Sequence, residues 1–235
     1  PFSFNITPYL TSKNNQKLVV RVWDPTNKGC QPVGKQRYNP QGIWYTSVTG
    51  IWQTVWLEPV SSTYVTSIKT IPNIDTNTLN VTIGTSYNCK SGILTVKLLD
   101  KGQVIASAKG IQGSELRLAV DNPTLWSPAN PYLYDMVVSL SKDGKVLDEV
   151  KSYTAFRKIS YKRDVNGIMR MQLNNQDLFH FGPLDQGWWP DGLYTAPTDE
   201  ALLFDIKKTK EWGFNMIRKH VKVEPARWYY HCDRE

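Results

Sequence analysis

The chain has 235 residues, 40% of them hydrophobic and 21% charged, which suits one large or two small globular domains and excludes a disordered chain or a coiled coil. No apolar run approaches the roughly 18–20 residues of a membrane-spanning helix, so no membrane is expected as a partner. The net charge is +7, but the basic residues are scattered; the densest group, Arg157, Lys158, Lys162 and Arg163, alternates with Ile159 and Tyr161, reads as one wet face of a strand, and gives no reason to expect nucleic acid.

The chain opens on Pro1-Phe2-Ser3-Phe4, with neither Met nor a signal sequence, and is expected to begin inside a longer protein. Leu18–Trp23 is a predicted strand, stopped by Asp24-Pro25. A loop rich in Gly, Pro, Asn and Gln follows. Ile51–Glu58 alternates as a strand, with Ile51, Gln53, Val55 and Leu57 on one face and Trp52, Thr54, Trp56 and Glu58 on the other. Residues 1–60 are too few for a whole sandwich and read as the end of one. Between 61 and 160, strand-like runs recur at 64–70, 79–84, 93–98, 104–108, 116–120, 133–140 and 146–156. Asp100-Lys101-Gly102 and Lys142-Asp143-Gly144-Lys145 are hairpin turns. Seven short strands in this length predict an immunoglobulin-like β-sandwich, without the Cys…Trp…Cys of antibody domains.

The period changes near 165. Leu178–Phe181 reads as a strand, and Thr198-Asp199-Glu200 opens a helix with a Thr cap and acids in its first turn. Leu202, Ile206 and Thr209 continue it, and Gly213 stops it. Phe214–Arg218 is a second strand, and Glu224-Pro225 starts a second helix. This β-α-β-α order predicts a parallel sheet. Two parallel strands cannot close a barrel, which takes roughly 250 residues, so more chain is expected after Glu235.

Nine Trp and twelve Tyr are a heavy aromatic load. They suit either the packing of sugar rings or ordinary core use. The three cysteines, Cys30, Cys89 and Cys232, are far apart and lack CxxC spacing, so neither a disulfide framework nor a zinc site is expected.

Five strings carry a resemblance. Gly50–Val60 (GIWQTVWLEPV) resembles the end of the sugar-binding jelly-roll domain of glycoside hydrolase family 2, the family of β-galactosidases, β-glucuronidases and β-mannosidases. Asn122–Pro128 (NPTLWSP), followed by Pro131–Tyr134, resembles a late motif of that family's immunoglobulin-like domain. Phe156–Ile159 is similar to its exit strand. Leu173–Gln176, then Phe181-Gly182, resembles the entry hairpin and first strand of the (β/α)8 barrel. Gly213–His220 (GFNMIRKH) is similar to the second barrel strand. The strings stand in family order and cover nearly the whole chain.

The resemblance implies a mainly β chain in three parts: 1–60, the C-terminal part of the jelly roll; 61–160, the immunoglobulin-like sandwich; 161–235, the first βαβα portion of a TIM barrel. It implies a retaining exo-glycosidase acting on terminal β-linked sugars, most often galactose, through two Glu side chains on later barrel strands. Neither lies within residues 1–235, so no catalytic residue is assigned and the chain alone is expected to be inactive. Asp191 reads as a turn residue, Asp199 and Glu200 as helix-start acids, Glu224 as a helix cap. Asp185, Trp188 (or Trp189), Arg218 and His220 are the candidate substrate-binding residues; Arg218 could instead brace the catalytic carboxylates. No cofactor or metal is expected. The expected partner is an oligo- or polysaccharide, and family members are often homo-oligomers. A polysaccharide-degrading bacterial source would favour a periplasmic or secreted location. The competing reading is a non-catalytic carbohydrate-binding sandwich, against which the βαβα segment argues.

Overall fold

A computed structural model describes residues 2–86 and 91–235, and Pro1 and Cys89 lie outside that description. The chain forms two compact units, Pro1–Thr54 and Val55–Glu235. The first holds a 3-10 turn, Thr7–Tyr9, and two short strands, β1 (Gln36–Arg37) and β2 (Tyr45–Thr46), paired in parallel. The expected strands at 18–23 and 51–58 are not formed. A strand needs a ladder partner for its backbone and cover for its apolar face. Among the described residues neither run has a ladder partner, and Trp23 and Trp56 stand largely exposed.

In the second unit all seven expected sandwich strands are present. They are β3 (Val65–Asn73), β4 (Thr78–Thr85), β5 (Ile93–Asp100), β6 (Gln103–Ile111), β7 (Glu115–Ala119), β8 (Tyr134–Lys142) and β9 (Lys145–Thr154). They form a three-stranded sheet, β3-β4-β7, and a four-stranded sheet, β6-β5-β8-β9, antiparallel throughout. Alternation decides the register. Leu79 lies opposite Leu118, Val81 opposite Leu116, Val96 opposite Val138 and Leu98 opposite Met136, all buried in one core. A one-residue slip would turn every one of them to water, at about 1.5–3 kcal/mol per large side chain. The predicted turns close as expected: Lys101-Gly102 and Asp143-Gly144 adopt positive φ at both central positions, the geometry that two-residue hairpins favour.

Beyond the sandwich, β10 (Ile159–Arg163), β11 (Met169–Leu173) and β12 (Gln176–Asp177) form an antiparallel sheet. The expected single wet face of β10 is not found. Arg157 and Lys158 precede the strand and are ion-paired, to Asp233 at 2.7 Å and Asp75 at 2.6 Å, while Ile159 and Tyr161 are themselves exposed. The entry turn, Asn174-Asn175, is left-handed at both residues. Asn174 also ties the hairpin to the sandwich: its Nδ2 donates to the Trp126 carbonyl and its Oδ1 accepts from the Lys158 N–H.

The last segment runs β13 (Leu184–Asp185), α1 (Asp199–Glu211), β14 (Arg218–Lys219), α2 (Ala226–Arg234). β13 and β14 pair in parallel, as expected, but lie a few residues later than the predicted 178–181 and 214–218. Leu178 is drawn into the preceding hairpin, its N–H bonding Met171 O. The parallel contact begins only where Asn215 N–H reaches Phe181 O, and it continues through Arg218 N–H to Pro183 O and His220 N–H to Asp185 O. Thr198 caps α1, its Oγ1 accepting from Ala201 N–H at 3.1 Å, and Gly213 leaves it with φ +84°. Leu202 and Ile206 bury against Trp228 of α2.

Candidate functional site

Two parallel strands that end together bring their following loops together, and β13 and β14 do this. Leu184 lies opposite Arg218 and Asp185 opposite Lys219, and successive side chains point to opposite faces. Leu184 and Arg218 are exposed on one face; Asp185 and Lys219 are partly buried on the other. His220 follows on the Arg218 face by the same alternation, with its backbone held by Asp185 O at 2.9 Å. Val221 then turns the chain with φ +58°, a conformation that costs a β-branched residue on the order of 1–3 kcal/mol.

On the covered face lies a network of four charges. Lys219 Nζ is 2.8 Å from Asp185 Oδ2, 2.5 Å from Glu224 Oε1, and sits over the Trp228 ring. Lys222, with 1% of its side chain exposed, donates to the carbonyls of Gly187 and Tyr194, both at 2.7 Å, and lies 3.4 Å from Glu224 Oε2. Burial holds the Lys222 ammonium below the usual lysine range, against the pull of Glu224 beside it. Two cations balance two carboxylates, and their attraction and hydrogen bonds offset the desolvation cost of burying them. Gly187 is required where it stands: its φ is +62°, and an added Cβ would fall 2.0 Å from Glu224 Oε1.

This corrects the expectation for Glu224. It makes no helix cap; Pro225 is the N-cap of α2, with no side-chain cap, and the Glu224 carboxylate is a buried ion-pair partner. The sequence reading also missed Lys219 and Lys222. The signal was present in Val221-Lys222-Val223-Glu224, which alternates as a strand does. That alternation does not tell which side is covered; the structure leaves Val223 exposed and buries Lys222 and Glu224.

The four candidate substrate residues therefore divide. Arg218 and His220 share the open face. Asp185 lies on the other, Oδ2 on Lys219 and Oδ1 accepting from Gly187 N–H at 2.7 Å. Trp188 is partly buried in the loop after β13, edge-on to Tyr194 with ring centroids 5.7 Å apart, and Lys222 covers that Tyr ring. Asp191 caps its own turn through Gly192 N–H, as expected.

Two further clusters hold the segment in place. Asp199 accepts from Arg227 Nε and Nη2 at 2.8 and 2.9 Å and lies 2.9 Å from Nε2 of buried His231, joining α1 to α2. Arg227, then His231, holds the Asp199 carboxyl well below the usual carboxylate range. At the end of α2, Asp233 accepts from Arg157 Nη1 at 2.7 Å and from the Tyr153 hydroxyl at 3.0 Å, while its carbonyl accepts from Trp126 Nε1 at 2.6 Å. Arg157 also stacks over the Trp126 ring. Burial, with Asp233 adding to it, pushes the Tyr153 hydroxyl up to about 12. Among the described residues, no three His, Cys, Asp or Glu side chains gather as a metal site would require.

Residues 63–157 match the family profile described as "Glycosyl hydrolases family 2". The chain is 29% identical over 200 residues to the β-galactosidase of Lactococcus lactis subsp. lactis, a match covering 83% of this chain and 19% of that one. It is 24% identical over 250 residues to the β-galactosidase of Thermoanaerobacter pseudethanolicus, covering 99% and 32%. The chain thus spans between about a fifth and a third of the length of these relatives. In fold it is similar to the crystal structure of a glycosyl hydrolase family 2 member from Bacteroides cellulosilyticus, with a TM-score of 0.65 and 24% identity over 83% of this chain and 29% of that one.

Proposed function

We propose, from the premise that this chain belongs to glycoside hydrolase family 2, that it forms part of a retaining β-glycosidase and supplies one wall of its sugar pocket. The observation that carries the reading is the parallel strand pair that follows a family 2 sandwich and its small antiparallel sheet. Its open face carries Arg218 and His220, and its covered face is locked by the four-charge cluster. Function in parallel α/β folds gathers at the C-terminal ends of strands.

In the proposed reaction one carboxylic acid protonates the glycosidic oxygen. A second carboxylate, about 5 Å away, attacks the anomeric carbon to give a glycosyl-enzyme, which water then hydrolyses. Both carboxylates are assigned to further strands of the same parallel barrel, outside residues 1–235. Two of the acids present here suit neither role: Glu224 is buried between two lysines, and Asp199 is committed to Arg227 and His231. Arg218 has the planar, multi-donor edge that binds sugar hydroxyls or holds a catalytic carboxylate in place. His220 offers a ring nitrogen beside it. Asp185, with about a fifth of its side chain exposed, keeps free lone pairs for a hydroxyl at the rim, and Trp188 lines the adjoining loop. The proposed substrate is a terminal β-linked sugar, with galactose the leading candidate.

The test is hydrolysis of nitrophenyl β-glycosides followed by NMR. The full-length glycosidase should release the β-anomer first, and chain 1–235 alone should show no turnover. First release of the α-anomer contradicts the retaining mechanism. Turnover by pure 1–235 contradicts the assignment of the carboxylates.

A further inference from the structure

We infer that Gln186 is a specificity-determining residue: its side-chain carbonyl accepts the hydrogen bond of one ring hydroxyl, beside His220, and so decides which terminal sugar is turned over. This role presupposes the strand-end pocket proposed above, in which Gln186 has had no part. Its place follows from register. Leu184 lies opposite Arg218 and Asp185 opposite Lys219, so Gln186 is the next residue in line with His220. The ladder bond from His220 N–H to Asp185 O, 2.9 Å long, shows the two strands still paired there. Asp185 faces the covered side, where Lys219 holds it. Side chains alternate along paired strands, so Gln186 falls on the open side with Arg218 and His220.

Its chemistry is that of a waiting acceptor. Gln186 Oε1 is buried, and among the described residues no donor reaches it. Buried carbonyls nearly always have a partner, and one without bears its full desolvation cost. The terminal torsion of a glutamine side chain is soft, so the carbonyl can turn to a hydroxyl arriving from the open side. A sugar hydroxyl donates to it and keeps lone pairs that a ring N–H of His220 can meet at the same time. Selection follows from the same asymmetry. A site built around a hydrogen bond to a hydroxyl rejects a ligand that lacks or misplaces that hydroxyl, because the buried acceptor is again left unpaired.

The four-charge cluster fixes the backbone that carries this amide. On one side of Gln186, Asp185 is held by Lys219. On the other, Gly187 N–H donates to Asp185 Oδ1 and Gly187 O accepts from Lys222 Nζ, both at 2.7 Å. Gly187, at φ +62°, turns the chain out of the strand directly after Gln186. With both neighbours pinned, Gln186 keeps only its side-chain torsions, and a backbone preorganised in this way lets one hydrogen bond discriminate.

The experiment measures kcat/KM of the proposed full-length glycosidase on its best nitrophenyl β-glycoside and on the monodeoxy analogues of that sugar, for the unmodified protein, Gln186→Met and Gln186→Glu. The unmodified protein should disfavour one analogue at least about tenfold. Gln186→Met, which keeps the length but offers no carbonyl, should lose that one preference at least about tenfold while its ratios for the other analogues hold. Gln186→Glu, which keeps an acceptor oxygen, should retain it. An unchanged profile in Gln186→Met would overturn the inference. So would loss of the preference in Gln186→Glu, or an unmodified protein indifferent to every analogue. No turnover of any β-glycoside by the full-length protein would overturn the pocket reading itself, and this role with it.

Discussion

A lysine with 1% of its side chain exposed has few ways to remain charged, and Lys222 uses three. It donates to two carbonyls, borders a carboxylate, and lies over an aromatic ring. Lys222→Met would leave both carbonyls without their donor and Glu224 with Lys219 alone. Breaking a buried pair from one side costs about 3–5 kcal/mol, so urea denaturation should show a loss of that size. A loss under about 1 kcal/mol would mean that the cluster is wetter than its geometry implies. The pattern of the chain could not announce this residue. Alternation shows that Lys222 and Glu224 share a face but not which face is covered, and the acids that complete the network come from distant places in the chain, Asp185 on β13 and Glu224 after β14. The strand end that carries Arg218 and His220 was legible because the motif Gly213–His220 spans it, whereas the engagement of Asp185 by Lys219 was not.

At the scale of elements, α1 is specified almost wholly by local signals: a threonine cap, two acids in the first turn, lysines in the last, and a left-handed glycine after it. What joins it to α2 is not local. Asp199 was read as a helix-start acid and does occupy that place, but it also holds Arg227 and His231 from 28 and 32 residues away. Its carboxyl titrates below its free value of 3.8 in the folded state. A depressed carboxylate stabilises the fold above the unfolded value and loses that contribution as pH falls through the folded one. Thermal melts of the unmodified chain should therefore lose stability below about pH 4 more steeply than melts of Asp199→Asn, whose acid limb should be flatter. Identical acid limbs would show that the helix tie carries no linkage. The sandwich strands were legible for the opposite reason. Each has one covered face, so period-two alternation determines existence and register together. At 51–58 the same alternation, and at 18–23 an apolar run, stand without a neighbouring strand among the described residues, and the structure forms none there.

Across the second unit, three of the strings that carried the family resemblance prove to be one junction. Trp126 and Arg157 of the sandwich, and Asn174 of the entry hairpin, meet around the end of α2. Their spacing in the chain gave order but no hint that they touch. Asp233, whose carboxylate accepts from Arg157 and Tyr153 and whose carbonyl accepts from Trp126, ties the end of α2 to the sandwich. The sandwich is thereby a rigid support for the face carrying Arg218 and His220, and preorganised faces of this kind position substrates. The most direct test of that role is the kinetics of His220→Ala in the proposed full-length glycosidase on nitrophenyl β-galactoside, with a thermal melt alongside. His220→Ala should lower kcat/KM at least about tenfold with an unchanged melting temperature, the mark of lost transition-state binding; unchanged kinetics would remove this face from the proposed sugar pocket.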